Sequence, residues 1–297
     1  MQQPTNGPRR RRRRLSDHET ERRMLDAAAG MIADLGIAVS LDHLRFDEVI
    51  DAADVARTSA YRRWPTKDLF IADLLVELAR GSHLGSGWGE TGELLITTLH
   101  ELLPRPTDVD PAQDRLDVVV EILRVSAQAD VEAIHASPEW RLHIALQATL
   151  LGLPPGELRR SVGDNLRRAE ERFGDSRAET FRRLAELWGY RPVDPDLGPG
   201  ASDHHDGFAQ LSLALSSTMT GLIIRSSTDP GLLEPRWELA PFGTRRRDRW
   251  SAPALALVRT ILAHLEPGPA EGWGDQRIEE AVDELRRLGA SAPPDEA

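Results

Sequence analysis

Arg57, Thr58, Ser59 and Arg62 crowd onto one short stretch of the chain. An arginine can fork onto the O6 and N7 of guanine, and a threonine or serine hydroxyl can serve a base edge or a phosphate oxygen. That chemistry works only if these side chains leave one face of a helix that is itself held against a groove.

Upstream, Met24, Leu25, Ala28, Ile32 and Leu35 recur at helical spacing, and Gly36 stands where a helix C-terminus needs a positive φ. A second apolar stretch, Phe46 to Ala53, is followed almost at once by Thr58-Ser59-Ala60-Tyr61-Arg62-Arg63-Trp64. Two short helices with so brief a connection must cross steeply, as in a helix-turn-helix. Pro65 ends the second of them, and Thr66 is placed to cap a third that begins at Lys67. Trp64 is expected to pack the small core. Tyr61 can bury its ring and still expose its hydroxyl.

At these residues the chain resembles the TetR family of one-component transcriptional repressors. The matching positions are Val49, Ala52, Ala53, Val55, Thr58, Ser59, Tyr61, Arg62, Arg63, Trp64, Thr66, Lys67, Asp68 and Leu69. The Tyr-x-x-aromatic-Pro-x-Lys run is the most specific part, and the likeness covers about the first quarter of the chain. The resemblance implies that Tyr61 and Lys67 hold the phosphate backbone while Arg57, Thr58, Ser59 and Arg62 face the bases. Lys67 is the chain's sole lysine, and a helix start also offers backbone N–H groups to phosphate. Two departures stand out. The family's turn glycine is here Asp54, which tolerates a left-handed backbone but brings a negative charge near phosphates. The loop Ile37 to Arg45 is longer than the family norm.

Six consecutive arginines, Arg9 to Arg14, precede this head. Such a run repels itself and has nothing to bury. Beside a helix-turn-helix, Arg11 and Arg12 at its centre read as an arm that neutralises phosphates or enters an A·T-rich minor groove. The plainer reading is a solvated tail. Leu15 onward is charged, which argues against a secretory signal.

The net charge of -11 is unevenly spread. Residues 1–80 carry 14 Arg and Lys against 13 Asp and Glu, and the rest carries 23 against 35. Positive charge therefore sits in the head, mainly in the arm, and an acidic body would turn the head toward DNA. There are no cysteines, so neither disulfides nor thiolate-bound metal can hold the fold. No apolar run approaches the ~20 residues of a membrane span. A cytoplasmic protein without cofactor or metal is expected.

Beyond a Gly- and Ser-rich break at Gly81 to Gly92, amphipathic segments alternate with Pro/Gly breaks, and no strand alternation is evident. Helices are predicted at 91–103, 113–133, 138–151, 156–189 with a possible break near Gly174, 204–227, 251–265 and 275–288. The fold class is all-α: a three-helix DNA-binding head at 17–80 and a larger helical body at 81–290, between a disordered arm (1–16) and a disordered tail (291–297). The resemblance implies that the body binds a small-molecule effector and forms a homodimer through late helices, so that two heads read a palindromic double-stranded operator. Leu215, Met219, Leu222, Leu257 and Ile261 are the candidate interface residues, with ordinary core as the alternative. Trp140, His143 and Gln147 lie at i, i+3 and i+7 and offer an aromatic wall with two polar groups to an effector. The plainer reading is a core tryptophan beside surface polars. Asp203-His204-His205-Asp206 reads as a helix cap before it reads as a metal site.

A ligand-responsive homodimeric repressor is the leading expectation. The alternative is an α-helical small-molecule or protein-binding regulator that keeps the head's fold and has weak or lost DNA binding, a reading that Asp54 and the acidic head favour. No G-x-S-x-G elbow, HExxH, P-loop or dinucleotide fingerprint supports an enzyme.

Overall fold

A computed structural model describes residues 16–35, 44–82, 84, 88–102, 109–193 and 206–291. Its contacts fall into two compact units: Met1–Ser82 with Ala145–Leu166, and His83–Ile144 with Arg167–Ala297. Expected elements at Gly36, in most of the loop before Arg45, and at 203–205 lie outside the described residues.

The first unit contains α1 (Asp17–Leu35), α2 (Phe46–Ala52), α3 (Arg57–Arg63) and α4 (Lys67–Arg80). Ser16 accepts a hydrogen bond from the Glu19 N–H at 3.1 Å, which starts α1. Met24, Ala28 and Ile32 form its buried stripe, and α1 packs against α2, α3 and α4. Three aromatic rings, Phe46, Trp64 and Phe70, are buried at the centre, and the exposed Tyr61 packs on their edge. Phe46 meets Tyr61 at 5.2 Å and Phe70 at 5.1 Å, while Trp64 meets Phe70 edge to face at 5.1 Å. Trp64 is fully buried, as expected of a core residue. Thr66 does occupy the N-cap position of α4, but its hydroxyl makes no capping hydrogen bond. The backbone there is already extended and the preceding proline fixes the chain direction.

The second unit contains α5 (Trp88–Glu101), α6 (Pro111–Ala136), the first part of α7 (Pro138–Gly152), most of α8 (Glu157–Trp188), α9 (Gly207–Ser226), α10 (Ala252–His264) and α11 (Asp275–Ser291). α10 packs on α6 and α9, and α5 packs on α6 and α11. The fold is all-α in class, and α8 runs through Gly174 without a break. Its carbonyl there accepts from Ser212 Oγ at 3.1 Å, which ties α8 to α9.

Among the described residues, four strands of three residues each were not anticipated. β1 (Tyr190–Pro192) pairs antiparallel with β4 (Leu265–Pro267), and β2 (Trp237–Leu239) with β3 (Asp248–Trp250). Segments this short carry no alternation to read. Arg115 braces the first pair: it is 4% exposed and donates to the carbonyls of Gly268 at 2.7 Å and Pro269 at 3.1 Å. A second correction concerns α9. Its 20 residues are long and apolar enough to cross a membrane by length and composition, because Ser and Thr interrupt the run without making it polar. In the fold, Leu211, Leu215, Met219 and Ile223 of this helix are buried in the core.

Candidate nucleic-acid interface

The turn between α2 and α3 sets the geometry of the head. Asp54 has φ +50°, so the position read as a substituted glycine does adopt the left-handed conformation. The Asp54 N–H donates to the Asp51 carbonyl at 3.2 Å and the Val55 N–H to the Ile50 carbonyl at 3.3 Å. These two bonds close a Schellman motif, and its hydrophobic contact is supplied by Ile50 and Val55, both buried. Aspartate holds this backbone at some strain cost, which the two hydrogen bonds and the buried pair offset.

α3 leaves the turn with one buried residue, Ala60. Arg57, Thr58, Tyr61 and Arg62 are exposed, and Ser59 and Lys67 are half-buried. The predicted polar side chains are therefore brought together on the outer surface of one short helix and the start of the next. Arg63 does different work. Its guanidinium donates twice to Glu21 of α1, each at 3.2 Å, and to Asp73 of α4 at 2.9 Å. Glu21's hydrogen bond is the largest influence holding this guanidinium in its charged form, against an opposing effect of burial. The Trp64 indole N–H donates to the same Asp73 at 2.8 Å. Arg63 and Trp64 thus fasten α3 to α1 and α4.

Sequence reasoning missed that acidic residues of the head face the proposed reading groups. The Tyr61 hydroxyl donates to Asp47 at 3.3 Å, and Arg57 lies 3.6 Å from the same carboxylate. Arg62 pairs with Asp17 of α1. The i, i+14 and i, i+45 separations of these contacts gave no signal in the linear pattern. Arg11 and Arg12 lie outside the described residues.

In the body, Trp140 and His143 are buried. Trp140 meets Phe173 of α8 edge to face at 5.2 Å, and His143 Nε2 stands 3.2 Å from Glu170. His143 is thus an interior polar group, where the plainer sequence reading had surface polars. Gln147 is half-buried and belongs to the stretch grouped with the head. Among the candidate interface residues, Leu215, Met219, Leu257 and Ile261 are buried within the chain's own core and Leu222 packs against it. Their stripes face each other because α9 and α10 pack together, so they are core positions within one chain. The exposed apolar positions of α9 are Leu213 and Ile224, on the opposite side. Asp206 caps α9, accepting from the Phe208 and Ala209 N–H groups at 3.1 and 2.9 Å. Among the described residues, no group of three or more His, Cys, Asp or Glu could hold a metal ion.

Comparison with protein-family models and with curated proteins found no match. Among solved structures, the chain is similar to NalD, the secondary repressor of the MexAB-OprM multidrug efflux pump in Pseudomonas aeruginosa, at 18% identity over 84% of this chain and 96% of that one, with a TM-score of 0.37. A second structure of NalD aligns at 18% identity over 87% and 99%, with a TM-score of 0.35. Full-length TylP, a TetR regulator from Streptomyces fradiae, aligns at 15% identity over 91% of this chain and 99% of that one, with a TM-score of 0.30.

Proposed function

We propose that this chain is a cytoplasmic DNA-binding transcriptional regulator of the TetR type, acting as a homodimeric repressor that a small molecule releases from its operator. The observation that carries the reading is the α2–turn–α3 unit. A left-handed turn closed by two backbone hydrogen bonds presents Arg57, Thr58, Tyr61 and Arg62 on one exposed surface. In a helix-turn-helix the second helix enters the major groove and its N-terminal residues meet base edges. Arg57 and Arg62 supply guanine forks, Thr58 and Ser59 supply hydroxyls, and Tyr61 and Lys67 grip phosphates. Residues 17–80 are the reading head and 81–290 the effector-binding and dimerising body. The outward face of α9, with Leu213 and Ile224, is the surface this reading assigns to the second copy. Effector release requires only that the ligand prefer the state whose head spacing mismatches the operator.

Binding of the purified protein to labelled DNA from its own upstream region, over a salt series, tests the reading. The expected result is sequence-selective binding that weakens steeply with salt and is lost when Arg57, Tyr61 and Lys67 are changed to Ala.

The contacts of Asp47 with Arg57 and Tyr61, and of Asp17 with Arg62, favour a second reading, a helical binding protein that keeps the head and has lost DNA recognition. Binding that is absent, or indifferent to sequence and to the triple variant, would select it.

A further inference from the structure

Arg177 lies on α8 between Phe173 and Phe181, one turn to either side. Its guanidinium carbon stands 5.5 Å and 5.8 Å from their ring centroids. Trp140 of α7 packs against Phe173 and extends the aromatic cluster. The charge is poorly satisfied. Its carboxylate partner, Asp130 of α6, is 4.0 Å away, too far for a hydrogen bond. Nη1 is buried and has no hydrogen-bond partner. Arg124 of the same unit is held more tightly, forking onto Glu121 at 2.7 and 2.8 Å, and Arg115, whose Nε is also buried without a partner, still donates through both terminal nitrogens to backbone carbonyls. Burial pushes the Arg177 guanidinium down and the Asp130 carboxyl up, and each is only partly restored by the other's charge.

A buried cation with an idle donor is expensive to keep, and a loose ion pair does not repay its desolvation. The arrangement makes sense if something else completes it. We propose that Arg177 anchors a binding site, between α6, α7 and α8, for a small planar aromatic carboxylate. This rests on the ligand-responsive reading above. The ligand's carboxylate accepts from the Arg177 fork, including the idle Nη1, because planar guanidinium and carboxylate match in shape as well as charge. Its ring lies among Phe173, Phe181 and Trp140, where apolar walls favour an aromatic body over a hydrated inorganic anion. Asp130 is 32% exposed and Arg177 13%, so Asp130 marks the solvent side of the site and competes with the ligand for the guanidinium.

The test is calorimetric titration of the full-length protein with benzoate and 2-naphthoate, beside the neutral benzamide and 2-naphthamide. At least one acid is expected to bind tenfold or more tightly than its amide. Arg177→Gln should remove that preference. Asp130→Asn should strengthen acid binding several-fold and leave the amides unchanged, and it decides the matter if Arg177→Gln does not fold. No binding of either acid, equal binding of acid and amide, or no gain in Asp130→Asn would overturn the site. DNA binding is measured on the same preparations. Acid failure with DNA binding intact overturns only this site. Acid binding without DNA binding supports the site and moves the protein to the second reading.

Discussion

Trp64→Ala should loosen the head by about 4 kcal/mol while leaving the body intact. The indole is fully buried, touches Phe70 at 5.1 Å and Phe46 at 6.4 Å, and donates to Asp73 at 2.8 Å. Truncating a buried Trp to Ala costs about 3–5 kcal/mol from lost transfer energy and the cavity left behind. The lost hydrogen bond adds about 1 kcal/mol at most, because Asp73 keeps its contact with Arg63 at 2.9 Å and is not left bare. Against a total stability of about 5–15 kcal/mol for a domain, that is a large fraction. Hydrogen exchange of α1 to α4 peptides in the full chain reads it locally. At 1.4 kcal/mol per tenfold, protection should fall by about a thousandfold. Trp64→Phe keeps most of the ring packing and should cost only about 1–2 kcal/mol. Less than a tenfold loss of protection in Trp64→Ala, accompanied by loss of DNA binding, would refute the packing argument and make Trp64 a contact residue.

Asp47→Asn should free both Arg57 and Tyr61 and tighten DNA binding several-fold at low salt, in line with the ~0–1 kcal/mol of an exposed pair; unchanged affinity in a mobility-shift titration would deny these contacts a competing role. Arg115→Met should destabilise the body by about 2–4 kcal/mol in urea unfolding, since the Gly268 and Pro269 carbonyls lose their donor; a loss under 1 kcal/mol would mean water replaces it. Acid should weaken the α8–α9 tie. Burial raises the Asp206 carboxyl, but the Arg182 hydrogen bond and the Ala209 and Phe208 N–H groups together leave it below the usual range. A carboxyl depressed in the folded state contributes stability above its unfolded value of about 3.9, lost as pH falls through the lower folded value. Melting temperatures of Asp206→Asn should accordingly change less below pH 4 than those of the unaltered chain, and parallel acid limbs would contradict this.

The sequence by itself determined what local chemistry controls. Helix positions in the body followed from apolar spacing and Pro/Gly punctuation, since an amphipathic helix writes its period into consecutive residues. The helix-turn-helix was legible because its turn, proline stop and polar second helix fall within one short stretch. Asp54 was readable as a left-handed position because the motif demands that backbone there, and the structure gives it φ +50°. Trp64 was readable as core for the same local reason.

Tertiary structure alone decided which partner each face meets. Leu215 and Leu257 carry the same stripe whether they line a core or an interface, and only the packing of α9 on α10 places them inside one chain. The paired three-residue strands escaped notice because segments this short show no period, and β1 and β4 also lie far apart along the chain. The pairings of Arg57 and Tyr61 with Asp47, of Arg62 with Asp17, and of Arg177 with Asp130 each depend on elements brought together from separate parts of the chain. An ion pair has no sequence period of its own, because charge acts through distance in space and the sequence records only distance along the chain.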